Sequence, residues 1–381
     1  MAPKEQRKRK TIRHNTAANQ EKHRADWLPL EPNELGVVAD RRVMPRDERM
    51  RRLALAAASA QAIDADIGEA GWNAAAEAGG FTLGIVVEVA QDLCRVRVDG
   101  RNVLCDMRGT LTAEGTGFTN LVAVGDRVSL SLPEPEHGRV EAVLPRRSAL
   151  ARPDSFARHL KQVIAANMDQ LLIVASWREP YLWRELIDEY LIAAARNNLR
   201  ATICINKIDL ASNMTECRAA VQAYADLGYL LIFTSAVTRA GLEDLCAALR
   251  DKSTVLAGLS GVGKSSLLSA IQPGLKLRTK EVSRKNREGR HTTAQAVMLP
   301  LREGGYVVDT PGIRDLGLRG LSQDELIEFY PEIEAAARQC RYHDCSHLPE
   351  PGCAVKAAVA GGGIAGWRLD NYQKLCRKLP A

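Results

Sequence analysis

The sequence predicts a multidomain fold in which an N-terminal OB-like β-barrel precedes a central α/β domain and an α-helical C-terminal region. Three observations predict it. The chain has 381 residues, more than one ordinary domain contains. Short alternating strand patterns fill residues 81–144, whereas longer apolar strands alternate with helical segments over residues 171–312. Cysteine and histidine residues then cluster within residues 340–353.

The composition is that of a globular protein, with 46% hydrophobic and 26% charged residues. The sequence contains no apolar run of transmembrane length and no N-terminal signal segment, so we expect a cytoplasmic protein without a membrane partner. We also expect a monomer. The nine cysteines are odd in number and scattered, which argues against a disulfide framework. A net charge of +6 favours a polyanionic partner without naming one.

Residues 1–79 form a basic extension that we expect to be partly disordered. Residues 1–26 carry many cations and almost no large apolar side chains, so they cannot bury enough surface to offset the entropy of ordering. Such an arm either contacts nucleic acid or stays solvated. Residues 47–78 are rich in alanine and have helical potential, and no function follows from them.

Residues 80–147 are predicted to form the barrel. Short strand patterns occupy residues 82–89, 94–98, 102–105, 124–132 and 139–144. The Asp99-Gly100 pair between two of them is a strong hairpin signal. A basic face suited to nucleic acid would come from the arginines Arg95, Arg97, Arg101, Arg108 and Arg127. The alternative is a barrel whose arginines contact only solvent.

Residues 148–320 are predicted to form the α/β domain, reached through a connector over residues 145–165. Nearly continuous apolar strands alternate with helices, which is typical of a parallel sheet covered on both faces. The predicted strands cover residues 171–176, 201–205 and 229–233, and the predicted helices cover residues 181–197, 215–227 and 241–250. Ligands of such sheets bind beyond the carboxyl ends of the strands, where polar motifs follow in this sequence.

A phosphate-binding loop is the most secure motif. Gly258 and Gly263 followed by Lys264-Ser265 give G-x-x-x-x-G-K-S between an apolar strand and a helix. The glycines let backbone N–H groups point at phosphate oxygens, Lys264 reaches the β- and γ-phosphates, and Ser265 is a ligand for Mg²⁺. The predicted contact residues are Gly258, Leu259, Ser260, Gly261, Val262, Gly263, Lys264, Ser265 and Ser266. The alternative is a glycine-rich turn that holds no ligand.

Two further motifs suit a guanine base. Asn206-Lys207-Ile208-Asp209 follows a predicted strand, and its aspartate would accept hydrogen bonds from both N1–H and the amino group of guanine, a pattern that adenine lacks. Thr234-Ser235-Ala236 follows the next strand and offers backbone support for the base carbonyl, with Ser235 and Ala236 as the predicted contact residues. The sequence thus predicts GTP and GDP as ligands. A P-loop ATPase is the alternative, which competition between GDP and ADP would test.

The strand that ends at Asp309 carries another nucleotide motif, Asp309-x-x-Gly312. Asp309 is expected to hold Mg²⁺ through water, and the Gly312 N–H to contact the γ-phosphate. Upstream, residues 289–293 read Gly-Arg-His-Thr-Thr within a stretch rich in Arg, Lys and Asn, a composition that suits a mobile loop. Thr292 or Thr293 is the expected switch ligand of Mg²⁺, and we prefer Thr293.

Residues 321–381 are predicted to form a helical region around a metal site. Three thiolates and one imidazole close a tetrahedral Zn²⁺ site and leave no open position for catalysis, so the site would be structural. The predicted ligands are Cys340, Cys345, His347 and Cys353. His343 is an alternative ligand. Helical patterns over residues 323–339 and 367–379 flank the cluster and offer a surface for a partner.

Together these motifs are those of a GTPase in an unusual order. Most GTPases run from the phosphate loop through D-x-x-G to N-K-x-D, whereas here N-K-x-D comes first. The chain therefore resembles the circularly permuted GTPases. From residue 80 onward, the barrel, the G-x-H-T-T loop and the terminal cluster make it similar to the ribosome small-subunit-dependent GTPase family, RsgA (also called YjeQ). The resemblance implies GTP hydrolysis stimulated by the small ribosomal subunit and its rRNA, a role in late maturation of that subunit, and Zn²⁺ on the four ligands named above.

The water-activating group is the part of the site that the sequence identifies least clearly. Many GTPases place a water-orienting glutamine directly after D-x-x-G, but this position is Ile313, so we expect slow turnover that a partner accelerates. The resemblance makes His291 the candidate replacement, joining Lys264, Asp309 and the two threonines as catalytic residues. The alternative is a histidine that contacts only rRNA or solvent. Two other functions stay open: an RNA-binding module with a structural nucleotide, and a GTPase acting on the large subunit or on tRNA.

Overall fold

The structure is a computed structural model that describes residues 80–90, 93–107, 118–153, 161–275, 296–309, 318, 320–348 and 350–380. The predicted basic extension over residues 1–79, the 289–293 loop and Gly312 lie outside these residues. No helix within the described part of the chain has the length and hydropathy needed to span a bilayer.

Five strands close a barrel at the N-terminal side, as predicted. They are β1 (Thr82–Val89), β2 (Leu93–Val98), β3 (Arg101–Met107), β4 (Arg127–Ser131) and β5 (His137–Val143). The strand order is β1-β2-β3-β5-β4 with β4 pairing back to β1, and only β3 and β5 run parallel. Asp99 and Gly100 both have positive φ, 47° and 83°, which matches the right-handed twist of the β2–β3 hairpin. Alternate valines such as Val86, Val96 and Val128 fill the barrel.

The arginines of the barrel do not all share one exposed face. Arg95 is buried, and its guanidinium lies 3.7 Å from the carboxylate of Glu88, its partner across β1 and β2. Arg101 is exposed, Arg97 and Arg127 are half-buried, and Arg108 lies outside the described residues. The prediction of an exposed basic face that includes Arg95 is therefore wrong. Arg95 lies on the opposite face of β2 from the core residues Cys94 and Val96, but it is covered there and paired with Glu88.

The segment predicted as a connector carries two strands. β6 (Ala149–Pro153) and β7 (Lys161–Ala166) pair antiparallel as a separate sheet, so the prediction of a plain connector over residues 145–165 is wrong. The hairpin is held by a side chain: Asn120 accepts from the N–H of Val163 at 2.8 Å and donates to its carbonyl at 3.0 Å. Leu150 and Ala165 are buried in the same hydrophobic core as the neighbouring sheet.

The α/β sheet consists of β8 (Gln170–Ser176), β9 (Arg200–Asn206), β10 (Leu230–Phe233), β11 (Ser253–Ala257), β12 (Val297–Pro300) and β13 (Tyr306–Asp309). Its order is β10-β9-β8-β11-β13-β12, and β12, which the sequence analysis missed, is antiparallel to β13. β12 also pairs with β1 at Glu88 and Val297, which makes the barrel and the sheet continuous. The other neighbours are parallel, as predicted.

Helices cover both faces of this sheet. They are α1 (Arg184–Arg196), α2 (Met214–Ala219), α3 (Gln222–Asp226), α4 (Leu242–Leu249) and α5 (Lys264–Ile271). Leu171 and Ile173 pack in a core with α1, whereas Leu172 and Val174 pack in a second core with α4 and α5. Because successive residues of a strand point to opposite faces, two covered faces require the continuous apolar strands seen in the sequence. The helix predicted over residues 215–227 is divided into α2 and α3.

The C-terminal region is helical, as predicted. Its helices are α6 (Gln323–Leu326), α7 (Pro331–Ala337), α8 (Ala354–Ala360) and α9 (Gly366–Cys376), with a 3₁₀ turn over Ile327–Phe329. Ser322 and Glu325 form a capping box at the start of α6, and Pro331 opens α7, which divides the helix predicted over residues 323–339. Ile192 of α1 belongs to the hydrophobic core of this region.

Candidate functional site

The predicted guanine turn and the glycine loop are in direct contact. Asn206, the last residue of β9, is buried, and its Nδ2 donates to the carbonyl oxygen of Val262 at 2.9 Å. Its Oδ1 accepts from the Thr234 hydroxyl at 3.2 Å, and the Thr234 carbonyl accepts from the N–H of Ile208 at 3.2 Å. Because both Nδ2 and Oδ1 form hydrogen bonds, Asn206 connects the end of β9 to the glycine loop and to the residue that follows β10.

Asp209 lies at the exposed edge of this turn and is oriented by a neighbour. The Ser235 hydroxyl donates to Asp209 Oδ1 at 2.5 Å and itself accepts from the N–H of Thr238 at 3.0 Å. The serine of the predicted Ser-Ala motif thus fixes the carboxylate that would recognise guanine, while Ala236 lies beside it in the same loop. A carboxylate held in one rotamer loses less conformational entropy when a base binds to it.

Lys207 takes the left-handed conformation, with a φ of 60°. Its Nζ donates to the carbonyl oxygen of Glu179, in the loop that follows β8. In the same loop, the Pro180 carbonyl accepts from the Ser176 hydroxyl at 2.5 Å. The Glu179-Pro180 loop therefore forms a wall of the site next to the glycine loop, which the sequence analysis did not identify; the only signal was its position directly after a buried strand.

The glycine loop requires glycine for two measurable reasons. Gly258, Gly261 and Gly263 have φ values of 137°, 86° and 97°, which side-chain-bearing residues rarely adopt. A Cβ on Gly258 would lie 2.2 Å from the Val174 carbonyl oxygen, and a Cβ on Gly263 would lie 2.4 Å from Asn206 Nδ2. Gly263 directly precedes α5, so the loop presents the N-terminus of that helix, where N–H groups favour an anion.

The Lys264 side chain folds back over the loop and donates to the carbonyl oxygens of Gly258 at 2.8 Å and Leu259 at 2.9 Å. Asp309 ends β13 beside β11, the strand that leads into the loop, and is paired with Leu256. Burial raises the pKa of Asp309, and the positive charge of Lys264 lowers it in part. A divalent cation there would offset the cost of burying the carboxylate.

Several residues of the predicted site have no described position. His291, Thr292, Thr293 and Gly312 lie outside the described residues, so their predicted roles stay predictions. The structure does bring together the other predicted contact residues of the glycine loop, the 206–209 turn and Ser235-Ala236. Thr234 was expected to contribute only its backbone, and the role of its hydroxyl, which donates to Asn206, was not predicted.

The four predicted metal ligands meet in the C-terminal region. The ligand atoms of Cys340, Cys345, His347 and Cys353 all lie within 4.8 Å of one another. His347 Nδ1 is 3.7 Å from the Cys340 sulfur and 3.5 Å from the Cys353 sulfur. His343, the alternative ligand, is exposed and does not belong to this group. Three sulfurs and one imidazole nitrogen fit a closed tetrahedral metal site.

The protonation chemistry of the cluster suits a metal. Burial lowers the pKa of His347, although Glu350 raises it in part, so the neutral imidazole that binds metals is favoured. Burial raises the pKa of the Cys345 thiol to about 11, and the neighbouring thiols of Cys340 and Cys353 add to this. For Cys340, burial raises the pKa, but hydrogen bonds from the backbone N–H groups at the start of α8 and from the other two thiols together outweigh it, so the pKa is lowered. Crowded thiolates need a cation, which a bound metal provides.

Comparison with known proteins identifies the family. The model of the RsgA GTPase family matches residues 143–319. The small ribosomal subunit biogenesis GTPase RsgA of Thermotoga petrophila is 39% identical over 300 residues, covering 78% of this chain and 96% of the relative. The protein of the same name from Gemmatimonas aurantiaca is 40% identical over 301 residues, covering 77% and 96%. The chain belongs to the RsgA GTPase family.

Solved structures agree with this assignment. The crystal structure of YjeQ from Thermotoga maritima matches with a TM-score of 0.64 and 36% identity, covering 78% of this chain and 98% of that one. YloQ, described as a circularly permuted GTPase, matches with a TM-score of 0.59 and 28% identity, covering 78% and 95%. This RsgA-family chain is therefore a circularly permuted GTPase, an enzyme that hydrolyses GTP. Permutation is tolerated because β9 and β11 keep their places on either side of β8 and only the connections differ.

Proposed function

We propose that this chain binds GTP and GDP between the Asn206–Asp209 turn and the glycine loop, and that it hydrolyses GTP in late maturation of the small ribosomal subunit. The hydrogen bond from Asn206 to Val262 carries the first part, because it brings base recognition and phosphate binding within reach of one nucleotide. The printed name of its relatives, small ribosomal subunit biogenesis GTPase, supports the second part. The small subunit and its rRNA are the proposed partners, and the cytoplasm is the proposed location.

The described residues of the predicted nucleotide site each have a proposed role in binding. Asp209 accepts from guanine N1–H and its amino group, with Lys207 and Ile208 completing the turn and Ser235-Ala236 bordering it. Residues 258–266 surround the phosphates, and Lys264 exchanges the loop carbonyls for phosphate oxygens. Mg²⁺, when bound, would neutralise charge on the phosphates, and the fitting donors are Ser265, Asp309 and, outside the described residues, Thr293 or Thr292.

The proposed water-activating residue is His291, because Ile313 stands where many GTPases carry glutamine. The test is His291→Ala, which should abolish turnover stimulated by small subunits while leaving GTP affinity nearly unchanged. Equal stimulated rates in variant and parent would remove His291 from the mechanism. The proposal for Gly312, a contact from its N–H to the γ-phosphate, rests on the D-x-x-G motif over residues 309–312.

The cluster of Cys340, Cys345, His347 and Cys353 is proposed to hold one structural Zn²⁺. No ligand position is left for a substrate, since four protein donors complete a tetrahedron. We further propose a division into residues 1–79, 80–147, 148–320 and 321–381, with the last part docking onto the partner. The continuity of β12 with β1 means that the barrel and the GTPase domain should move as one unit.

The deciding experiment measures GTP hydrolysis by the purified full chain with and without small ribosomal subunits. We expect slow intrinsic turnover and strong stimulation by small subunits but not by large subunits or tRNA. Lys264→Ala should abolish both rates, whereas Lys161→Ala, an exposed lysine of β7, should preserve both. Stimulation by large subunits alone would contradict the partner. An absence of guanine preference in competition between GDP and ADP would contradict the substrate.

A further inference from the structure

Helix α1 stands between the nucleotide site and the metal cluster. We propose that Asp188 on α1 and Arg368 on α9 are positioning residues for the nucleotide site, which fix α1 so that metal binding and nucleotide binding strengthen each other. The proposal rests on the proposed nucleotide site and goes beyond it, because it assigns a coupling between two sites that share no ligand.

One face of α1 borders the glycine loop. Leu186, Ile187 and Tyr190 line a cleft together with the loop residues Gly258, Leu259 and Val262. Leu259 packs against the hydrophobic core that contains all three α1 side chains. A displacement of α1 would therefore remove the packing behind Leu259. Leu259 belongs to the same loop as Val262, whose carbonyl oxygen accepts the hydrogen bond from Asn206.

The opposite face of α1 contacts the C-terminal region. At about 100° per residue, Glu185, Asp188, Glu189 and Ile192 share a stripe that lies across the helix from Leu186, Ile187 and Tyr190. Ile192 is buried in the C-terminal hydrophobic core. α1 thus belongs to two cores at once, one behind the nucleotide loop and one in the metal-binding region.

Asp188 is the centre of this second face. Its carboxylate is fully buried and is surrounded by four donors. Oδ1 accepts from Arg368 at 2.6 Å and from the Tyr224 hydroxyl at 2.8 Å, and Oδ2 accepts from Asn371 at 2.7 Å and from the Tyr330 hydroxyl at 3.3 Å. These donors come from α3, from α9 and from the residue before α7, so a single carboxylate fixes the relative position of three segments.

Arg368 is equally constrained. Its Nε donates to Glu332 Oε1 at 2.6 Å, and its guanidinium lies over the Tyr330 ring at 4.2 Å. Burial disfavours the charged guanidinium, but Asp188 and Glu332 outweigh this and raise the pKa of Arg368. The planar guanidinium of an arginine can donate to two carboxylates in fixed directions, whereas the ammonium group of a lysine has no such fixed geometry.

Helix α9 also reaches the metal cluster. The Gln373 amide donates to the carbonyl oxygen of His347 at 2.8 Å, and the Tyr372 ring lies 6.3 Å from the His347 ring. Arg368 and Asn371 of the same helix hold Asp188. An unbroken series of contacts therefore runs from a metal ligand through α9 and α1 to the wall of the phosphate loop.

A buried ion pair fixes the relative position of the segments that carry it more than it increases the free energy of unfolding. Removing two charges from water costs about as much as their attraction returns, so apolar replacements of equal size are often as stable. The pair nevertheless allows only one arrangement of its donors and acceptors. This separates the proposal from a purely structural role, because a variant that loses both charges and still folds should lose the coupling. Since the replacement of Arg368 also leaves Glu332 without this partner, circular dichroism checks first that the variant is folded.

The test measures the affinity of a fluorescent GDP analogue for the full chain, once loaded with Zn²⁺ and once after chelation. For the parent we expect affinity to fall at least about fivefold on chelation, the lower end of usual coupling between sites. The double variant D188N/R368M should bind the analogue with the same affinity in both states. Lys378→Met is the matched control, since it removes an exposed cation that pairs with Glu185 and Glu189 at the same interface, and it should keep the parent ratio.

The possible results distinguish a failure of the coupling from a failure of the proposed nucleotide site. Equal affinities of the parent with and without metal would overturn the coupling, as would a double variant that keeps the parent ratio. A parent that binds no GDP analogue in either state would overturn the proposed nucleotide site and the coupling with it. Should circular dichroism show that the double variant is unfolded, Asn371→Ala is measured instead, and its ratio should fall below that of the parent because one of the four donors to Asp188 is lost.

Discussion

The two ligand sites of this chain are built in opposite ways. The nucleotide site is assembled from residues far apart in sequence, at the ends of β8, β9, β10, β11 and β13. The metal cluster uses residues 340–353 alone. In the first site, hydrogen bonds among the protein's own groups fix the turn and the loop before any ligand binds. In the second site, three thiols crowd around an imidazole, and the mutual repulsion of the thiolates that form on ionisation opposes the arrangement.

This difference indicates that the ligands contribute differently to folding. The nucleotide site lies on a sheet with two large hydrophobic cores, so it should keep its shape without nucleotide. The loop around the cluster, by contrast, contributes exposed Tyr342 and Leu348 rather than buried apolar side chains. Its shape should depend on the metal.

The largest effect is expected from Cys353→Ser. Loss of one ligand removes most of a structural-metal contribution that is on the order of 10 kcal/mol in small zinc domains, so the helices α7 to α9 should unfold while the sheet stays folded. Far-UV circular dichroism during heating should show an early helical transition that the parent lacks. Cys376→Ser, in α9 but outside the cluster, is the control and should melt like the parent. A single unchanged transition for Cys353→Ser would contradict the dependence on metal.

The next effect is expected from Gly258→Ala. The new methyl group would meet the Val174 carbonyl, a backbone atom that cannot move aside, and strain of about 3 kcal/mol should weaken GDP binding roughly 100-fold. Gly274→Ala is matched, because its φ of 91° is equally unfavourable but no atom lies within 4 Å. Titration calorimetry should give it the parent affinity. If both variants bind GDP equally well, the close packing of the loop does not matter.

Acid should release the metal. The pKa of His347 is lowered by burial from its ordinary value of 6.5, which means that the folded state binds fewer protons than the unfolded chain. The stability of the cluster is therefore complete above that value and is lost as the pH falls below it, while thiolate protonation acts in the same direction. A colorimetric zinc indicator should detect release between about pH 6.5 and pH 5. Full retention at about pH 5 would contradict the ligand set.

The smallest effect is expected from Ser235→Ala. The hydroxyl only orients Asp209, so its loss should cost about 1 kcal/mol, or about fivefold in GDP affinity, while ADP affinity stays unchanged. Competition binding with both nucleotides checks this. An equal fall in affinity for GDP and ADP would show that Ser235 supports the loop in general and not the guanine contact.

The difference between the two sites also explains which features could be predicted from the sequence. The cluster was predicted completely, because cysteine and histidine at short spacing carry their chemistry in the local sequence. The glycine loop and the 206–209 turn were predicted for the same reason, and parallel-sheet topology then implied their proximity. The five barrel strands followed from alternation and from Asp99-Gly100.

Features that depend on contacts distant in sequence were missed. The hairpin of β6 and β7 is held by Asn120, whose amide role no periodicity reveals. β12 is a four-residue strand with a terminal proline, and it pairs antiparallel on a sheet that otherwise looks parallel. The Asp188–Arg368 pair joins residues 180 positions apart, and in the sequence each is one more charge on a helix. Pro331, in contrast, was a visible signal that the helix predicted over residues 323–339 would break.

The most direct test of the account is Asp209→Asn, measured by competition between GDP and xanthosine diphosphate. An asparagine amide donates a hydrogen bond where the aspartate accepted one, and xanthine offers a carbonyl oxygen in place of the amino group of guanine. GDP affinity should fall roughly 100-fold, through the loss of hydrogen bonds to a charged acceptor, while xanthosine diphosphate should become the preferred ligand. Unchanged GDP affinity in Asp209→Asn would contradict guanine recognition at this turn.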